Sequence, residues 1–308
     1  MFLDTFKGLD QDSIKKMLSI GPKWAEDIIS HRQIVIDIYS SLLRNRDLKN
    51  ILIQKNIPYG SDPRHVLDIY QQADLNSPAP VVIFVHGGAF VRGEKDANDH
   101  IYSNFLTYFV RHGYVGINLE YRHATEAPFP EGSKDIASGV AWVVKHAKEL
   151  NIDPSRIFLV GHSAGGTHVA SYVMDPNVRP QHGHSIAGLI LISARLRADV
   201  RSDNPNAGGV RTYYGEDSAL YEFRSPLTWV DHLDIPVLIA ISEFENPGLD
   251  VYASELFHQV STKNWRSPAF IKVPKHNHTS IVAHLDTEEE TFGMFMRSFM
   301  SEVSTSIV

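Results

Sequence analysis

Apolar positions in the first 45 residues recur at spacings close to three and four. Trp24, Ile28, Val35, Ile38, Tyr39 and Leu42 predict one amphipathic helix, and Gly21-Pro22 breaks it from a shorter one before it. From residue 51 the pattern changes to short apolar runs bounded by turn residues: 51–58, 66–70 and the unbroken VVIFV of 81–85. These predict strands. Helical and strand patterns then alternate. Helices predicted over 102–112, 133–150, 164–174, 250–259 and 287–300 interleave with strands over 114–119, 157–160, 189–192, 237–241 and 270–273. A strand that is apolar at every position must be covered on both faces, and the intervening helices supply that cover. The expectation is an α/β protein with a mostly parallel central sheet and helices on both faces. Residues 1–308 form a single domain, with a helical segment over 1–45 and a loop-rich insertion over 194–230. No internal repeat or low-complexity linker argues for a second domain.

Composition narrows the class. With 43% hydrophobic and 21% charged residues in a chain of 308, the balance is that of an ordinary globular protein. The formal charge of -7 arises from 36 acidic and 29 basic residues with no long run of either sign, so no nucleic acid partner is expected. The absence of cysteine excludes a disulfide framework, a thiolate metal site and a cysteine nucleophile. No stretch approaches the ~20 apolar residues of a membrane span. MFLDTFKGLD also lacks the basic-then-apolar pattern of a secretory leader. A cytoplasmic protein without membrane association is the expectation.

The sharpest local signal is GHSAG at 161–165, which fits G-x-S-x-G directly between a predicted strand and a predicted helix. A bend there exposes the Ser163 hydroxyl and directs the Ala164 amide toward the same point, where a helix N-terminus favours developing negative charge. Upstream, strand 81–85 runs straight into His86-Gly87-Gly88-Ala89. Residues without bulk let the main chain bring N–H groups within reach of a reacting carbonyl oxygen. His86 reads as an orienting or packing histidine.

A serine hydroxyl needs a base to remove its proton, and the base needs a third group to hold its tautomer. Two late strands lead into loops that carry such groups. SEFENPGLD at 242–250 offers Glu243, Glu245 and Asp250, of which Glu245 is preferred because Asp250 is placed to start the next helix. HNH at 276–278 offers His276 and His278, with His278 preferred because Thr279-Ser280-Ile281-Val282 returns into the fold. A metal pair from the same two histidines lacks an evident third ligand, so no metal is expected.

The motifs together resemble an α/β-hydrolase of the hormone-sensitive lipase-like carboxylesterase group, with arylformamidase as a close relative. HGGAF at 86–90, EYRHATEAPFP at 120–130, DPSRIFLVGHSAGG at 153–166, SPLTW at 225–229 and the SEFE and HNH loops carry the resemblance over roughly residues 60 to 285. It implies Ser163 as nucleophile, Glu245 as acid and His278 as base. It also implies an oxyanion hole from the amides of Gly88, Ala89 and Ala164 together with Gly87, and a helical cap from residues 1–45. Three residues depart from the family's usual pattern: Ala89 where glycine is usual, Glu245 where aspartate is commoner, and His162 in place of an acid. The Ala89 departure leans toward the formamidase side.

The implied activity is hydrolysis of a small or medium carboxylic ester through an acyl-enzyme, with no cofactor. Hydrolysis of an aryl formamide or related amide is the close alternative, and a non-catalytic small-ligand receptor is the alternative of another class. Arg195, Arg197, Arg201 and Arg211 with Tyr213 and Tyr214 form a candidate group for a carboxylate-bearing or aromatic substrate, Arg195 and Tyr213 foremost. A homodimer stays open.

Overall fold

The apolar runs become the strands of one sheet in the computed structural model, which describes residues 3–181 and 183–306. Residues 1 and 2 of the expected N-terminal segment lie outside the described residues. The strands are β1 (Ile51–Pro58), β2 (Val66–Gln72), β3 (Ala79–Val85), β4 (Val115–Leu119), β5 (Ile152–His162), β6 (Gly188–Ile192), β7 (Val237–Phe244) and β8 (Ala269–Asn277). Their order is β1-β2-β4-β3-β5-β6-β7-β8. β1 pairs with β2, and β2 with β4, in antiparallel register, and every later pairing is parallel. Edge strand β1 alternates in burial, whereas β4 and β6 are buried at every residue, as strands covered on both faces require.

Among the described residues, ten helices connect and cover the strands: α1 (Gln11–Ile20), α2 (Ile28–Leu43), α3 (Ser103–Arg111), α4 (Glu131–Lys145), α5 (Ala164–Met174), α6 (Ala207–Tyr214), α7 (Tyr221–Arg224), α8 (Leu249–Asn264), α9 (Ser280–Ala283) and α10 (Thr291–Thr305). One core holds Val140, Val169 and Leu256 against Ile83, Leu159 and Leu191. The other holds Phe105, Met296 and the N-terminal Trp24, Val35 and Tyr39 against Phe84, Val160 and Ile190. Each such side chain contributes about 1.5–3 kcal/mol on full burial. No helix among the described residues is long and apolar enough to cross a membrane.

The N-terminal segment is tied down at both ends. Asp4 accepts from the amides of Glu290 and Thr291 at 2.8 and 3.0 Å, covering donors that the start of α10 leaves free. Trp24 Nε1 donates to Asn246 Oδ1 at 2.8 Å, in the loop after β7. The first residues of α2 are thereby held above the carboxyl edge of the sheet.

Residues 194–230 correct the sequence expectation in their second part. Residues 194–206 carry no helix or strand, but 207–230 carry α6, α7 and 3-10 turns at Ser218–Leu220 and Pro226–His232. Elements of three to eight residues are too short to build a readable 3.6-residue period.

Candidate active site

Side chains with chemistry gather where β3, β4, β5, β7 and β8 end, at the carboxyl edge where open α/β sheets place ligands. Ser163 links β5 to α5 with φ 56° and ψ -117°, a left-handed conformation that non-glycine residues rarely adopt. Its neighbours hold it there. The Ser163 amide donates to the Ile192 carbonyl at 3.0 Å, and its own carbonyl accepts from the Arg195 amide at 3.1 Å. A methyl group on Gly165 would lie 2.3 Å from the Val85 carbonyl oxygen, so only glycine lets α5 start this close to the end of β3.

Ser163, His278 and Glu245 stand in a hydrogen-bonded line. His278 Nε2 is 3.0 Å from Ser163 Oγ, and His278 Nδ1 is 2.8 Å from Glu245 Oε2. Glu245 is buried, which raises its pKa. His278 and the hydroxyl and amide donors around the carboxylate more than offset that effect and leave it below the ordinary glutamate value. Those donors are the Ser193 hydroxyl and, at 2.8 Å each, the amide and hydroxyl of Ser242. An ionised Glu245 accepts only, so His278 carries its proton on Nδ1 and offers Nε2 as an acceptor to the serine. The arrangement can withdraw a proton from the hydroxyl and stabilise the resulting imidazolium.

The loop after β3 lies beside this line. Gly88 has φ 151°, and a methyl group there would fall 1.6 Å from the Arg92 carbonyl oxygen; Ala89 adopts φ 50°. The amides of Gly88 and Ala89 meet no acceptor among the described residues. The Ala164 amide opens α5 and has no acceptor within the helix. Gly87 and Gly88 border the same cavity as Ser163.

His86 braces the loop from beneath. It is fully buried, with Nδ1 2.7 Å from the Gly87 carbonyl and Nε2 2.7 Å from Glu120 Oε1. Glu120 also accepts from Arg64 Nη2 at 2.6 Å and the Lys95 amide at 2.8 Å. Burial would raise its pKa, but His86, Arg64 and the Lys95 amide overcome this and bring it to about 2.

Other candidates fall elsewhere. Glu243 accepts from the Lys275 amide at 2.6 Å, and Asp250 sits in the first turn of α8. His276 does not pair with His278. It turns the other way, with Nε2 2.9 Å from Glu289 Oε1 and Nδ1 3.0 Å from the Ser280 hydroxyl. Among the described residues, His276, His284 and Glu289 form a cluster whose geometry could hold a metal ion, their donor atoms lying within 4.8 Å of one another.

Arg195 and Tyr213, read from the sequence as substrate-binding, do not border the cavity beside Ser163 and are 3% and 1% exposed. Tyr213 stacks on Phe90 at 4.5 Å, and its hydroxyl is 3.2 Å from His168 Nδ1. The Arg195 guanidinium donates to Asn204 Oδ1 at 3.3 Å. Arg197 and Arg201 pair with Glu255 and Asp203 respectively. The aromatic character that suggested ligand binding belongs instead to a small packed cluster of Phe90, Val210, Tyr213, Tyr214 and Tyr221.

Several residues around the site escaped the sequence reading. Ser193 and Ser242 donate to Glu245, and Asn246 ties the same loop to Trp24. The cavity, about 760 Å³, is walled on one side by Ile28, Ile29, Arg32 and Gln33 of α2 and on another by Arg92. No motif marks the α2 positions. They reach the cavity because the N-terminal segment docks onto the loop after β7.

Comparison with known proteins agrees with this architecture. The BD-FAE family model matches residues 67–177. A probable isoprenylcysteine alpha-carbonyl methylesterase of Arabidopsis thaliana is 33% identical over 131 residues, which cover 42% of this chain and 26% of that protein. The esterase LipC of Mycobacterium tuberculosis is 32% identical over 114 residues, covering 37% of this chain and 28% of its own. The chain thus matches less than a third of the length of these curated relatives. Among solved structures, a bacterial heroin esterase superposes with TM-score 0.72 at 22% identity, covering 97% of this chain and 99% of the other. Esterase B from Lactobacillus rhamnosis superposes with TM-score 0.69 at 18% identity, covering 96% and 98%. The sheet order and these superpositions show the α/β-hydrolase fold.

Proposed function

We propose that this protein is a carboxylic ester hydrolase that works through a Ser163–His278–Glu245 triad. The observation that supports it best is the pair of hydrogen bonds through His278, 3.0 Å to Ser163 Oγ and 2.8 Å to Glu245 Oε2. The local similarity to esterases and the superposition of the whole fold on a heroin esterase support the ester as substrate.

In this mechanism Ser163 Oγ attacks the ester carbonyl carbon while His278 Nε2 takes the hydroxyl proton. The amides of Gly88, Ala89 and Ala164 donate to the carbonyl oxygen as it becomes an oxyanion, in a position where water cannot compete as well. Glu245 keeps the imidazolium in place without taking its proton. As the tetrahedral intermediate collapses, the bond to the leaving alkoxide breaks and His278 returns its proton to that oxygen. Water then attacks the acyl-serine by the same route, and the carboxylic acid leaves.

The same groups can cleave an aryl formamide, with His278 protonating the departing amine. Comparing turnover of 4-nitrophenyl butyrate with that of formanilide tests the assignment. Ester hydrolysis at least tenfold faster is expected; a large preference for the amide moves the protein to the formamidase class, and turnover of neither favours a ligand receptor.

A further inference from the structure

We propose that the hydrolase site is built for esters carrying a carboxylate, which Arg32 of α2 and Arg92 of the loop after β3 recognise at the cavity wall. This rests on the ester-hydrolase reading and adds the substrate class to it.

Both arginines border the same cavity as Ser163 and His278, and both are exposed. Neither forms an ion pair among the described residues, whereas Arg46, Arg64, Arg111 and Arg122 are each matched with a carboxylate. Arg92 is aimed by a 3.0 Å hydrogen bond from Nη2 to Asn206 Oδ1, which leaves other donors of its fork free. Arg32, Arg92, Tyr102 and His162 border the one cavity, where the Arg32 charge acts on His162 and Arg92 alike. Two guanidinium groups brought together against their own repulsion are stabilised by an anion between them.

The acids on the cavity wall do not cancel this. Asp96 is bonded to Lys95 at 2.7 Å and lies 3.8 Å from Lys55. Glu94 remains as a single opposing charge against two arginines. Ile28 and Ile29 supply apolar surface on the same helix, so the matching ligand has an apolar body ending in an anion. A carboxylate on either the acyl or the alcohol side meets that description.

The test compares kcat/KM for matched esters. On the acyl side, the 4-nitrophenyl monoester of adipic acid is set against 4-nitrophenyl hexanoate; on the alcohol side, 4-acetoxybenzoate is set against 4-tolyl acetate. A preference of about tenfold or more for the anionic ester is expected in at least one arm, which then identifies the side recognised. In the Arg32→Gln, Arg92→Gln double variant that preference collapses toward one, and in the parent it shrinks at 0.5 M NaCl. Hydrolysis of the neutral esters by the variant reports that it is folded. Equal rates for anionic and neutral esters, or a preference that survives the double substitution, overturn the carboxylate inference while leaving the hydrolase standing. Hydrolysis of none of the four overturns both.

Discussion

The Nε2 atom of His162 lies 2.8 Å from the main-chain oxygen of His278, and the two rings are 4.8 Å apart. The residue before the proposed nucleophile therefore holds the backbone of the proposed base. Burial, reinforced by the neighbouring His278, lowers the His162 pKa to about 3, so the ring stays neutral beside one that must become positive during turnover. His162→Ala is expected to lower kcat about tenfold, the value of one hydrogen bond, with KM nearly constant. His162→Gln, which keeps an N–H near the same point, is expected to recover part of it. Steady-state kinetics in which both variants match the parent would remove this positioning role.

Glu243 at the end of β7, Glu245 in the loop after it and Asp250 at the start of α8 are close in sequence, and of the three only Glu245 contacts His278. Glu245→Gln is expected to reduce kcat by about 10³–10⁴, because a neutral amide no longer enforces the required tautomer. Glu243→Gln and Asp250→Asn are expected to remain within about threefold of the parent, since their side chains serve the Lys275 amide and the helix start. A kcat loss in either of the latter two that equals that of Glu245→Gln would reassign the acid.

Glu120 ties the loop of Gly87 and Gly88 to the rest of the protein through His86, Arg64 and the Lys95 amide. Glu120→Gln leaves the partly buried Arg64 guanidinium without its carboxylate and is expected to cost about 1–3 kcal/mol of folding stability. A slower reaction with unchanged pH dependence is expected alongside. Urea unfolding checks the first effect, and a midpoint within error of the parent would contradict it.

Three buried histidines make stability depend on pH. Burial lowers His162 and His168 to about 3 and His284 to about 4, whereas each titrates near ~6.5 in the unfolded chain. Between those limits the unfolded state binds protons that the folded state refuses, so stability falls as pH falls, by up to about 1.4 kcal/mol per pH unit for each group. Glu120, Glu245 and Glu289 are also depressed in the folded state. Their contribution is present above the unfolded glutamate value and is lost only as pH falls below about 4.5. Urea midpoints are therefore expected to drop already between pH 6.5 and 5, and His284→Gln is expected to flatten that drop. A constant midpoint over this interval would contradict the burial argument.

The parts of the site legible in the sequence are those whose chemistry is local. GHSAG declares itself because a strained bend between a strand and a helix needs small residues at fixed offsets, and apolar runs such as VVIFV declare a strand covered on both faces. Glu245 and His278 were harder, because each competes with neighbours of the same chemistry and only the direction of the side chain separates them. His276 illustrates this: two residues from His278, it faces Glu289 in the interior. Arg195 and Tyr213 misled because aromatic and cationic residues in an insertion suit packing as well as recognition. Arg32 was not legible at all. Its place at the cavity depends on Trp24 bonding Asn246 across more than two hundred residues.

Mass spectrometry after treatment with a fluorophosphonate tests the central claim most directly, since the reagent phosphonylates only a serine whose proton a nearby base removes. The expected result is a single adduct on Ser163, formed in step with the loss of 4-nitrophenyl butyrate hydrolysis and absent from the Ser163→Ala and His278→Ala variants. An adduct on another residue, or hydrolysis that continues undiminished in Ser163→Ala, would contradict the account.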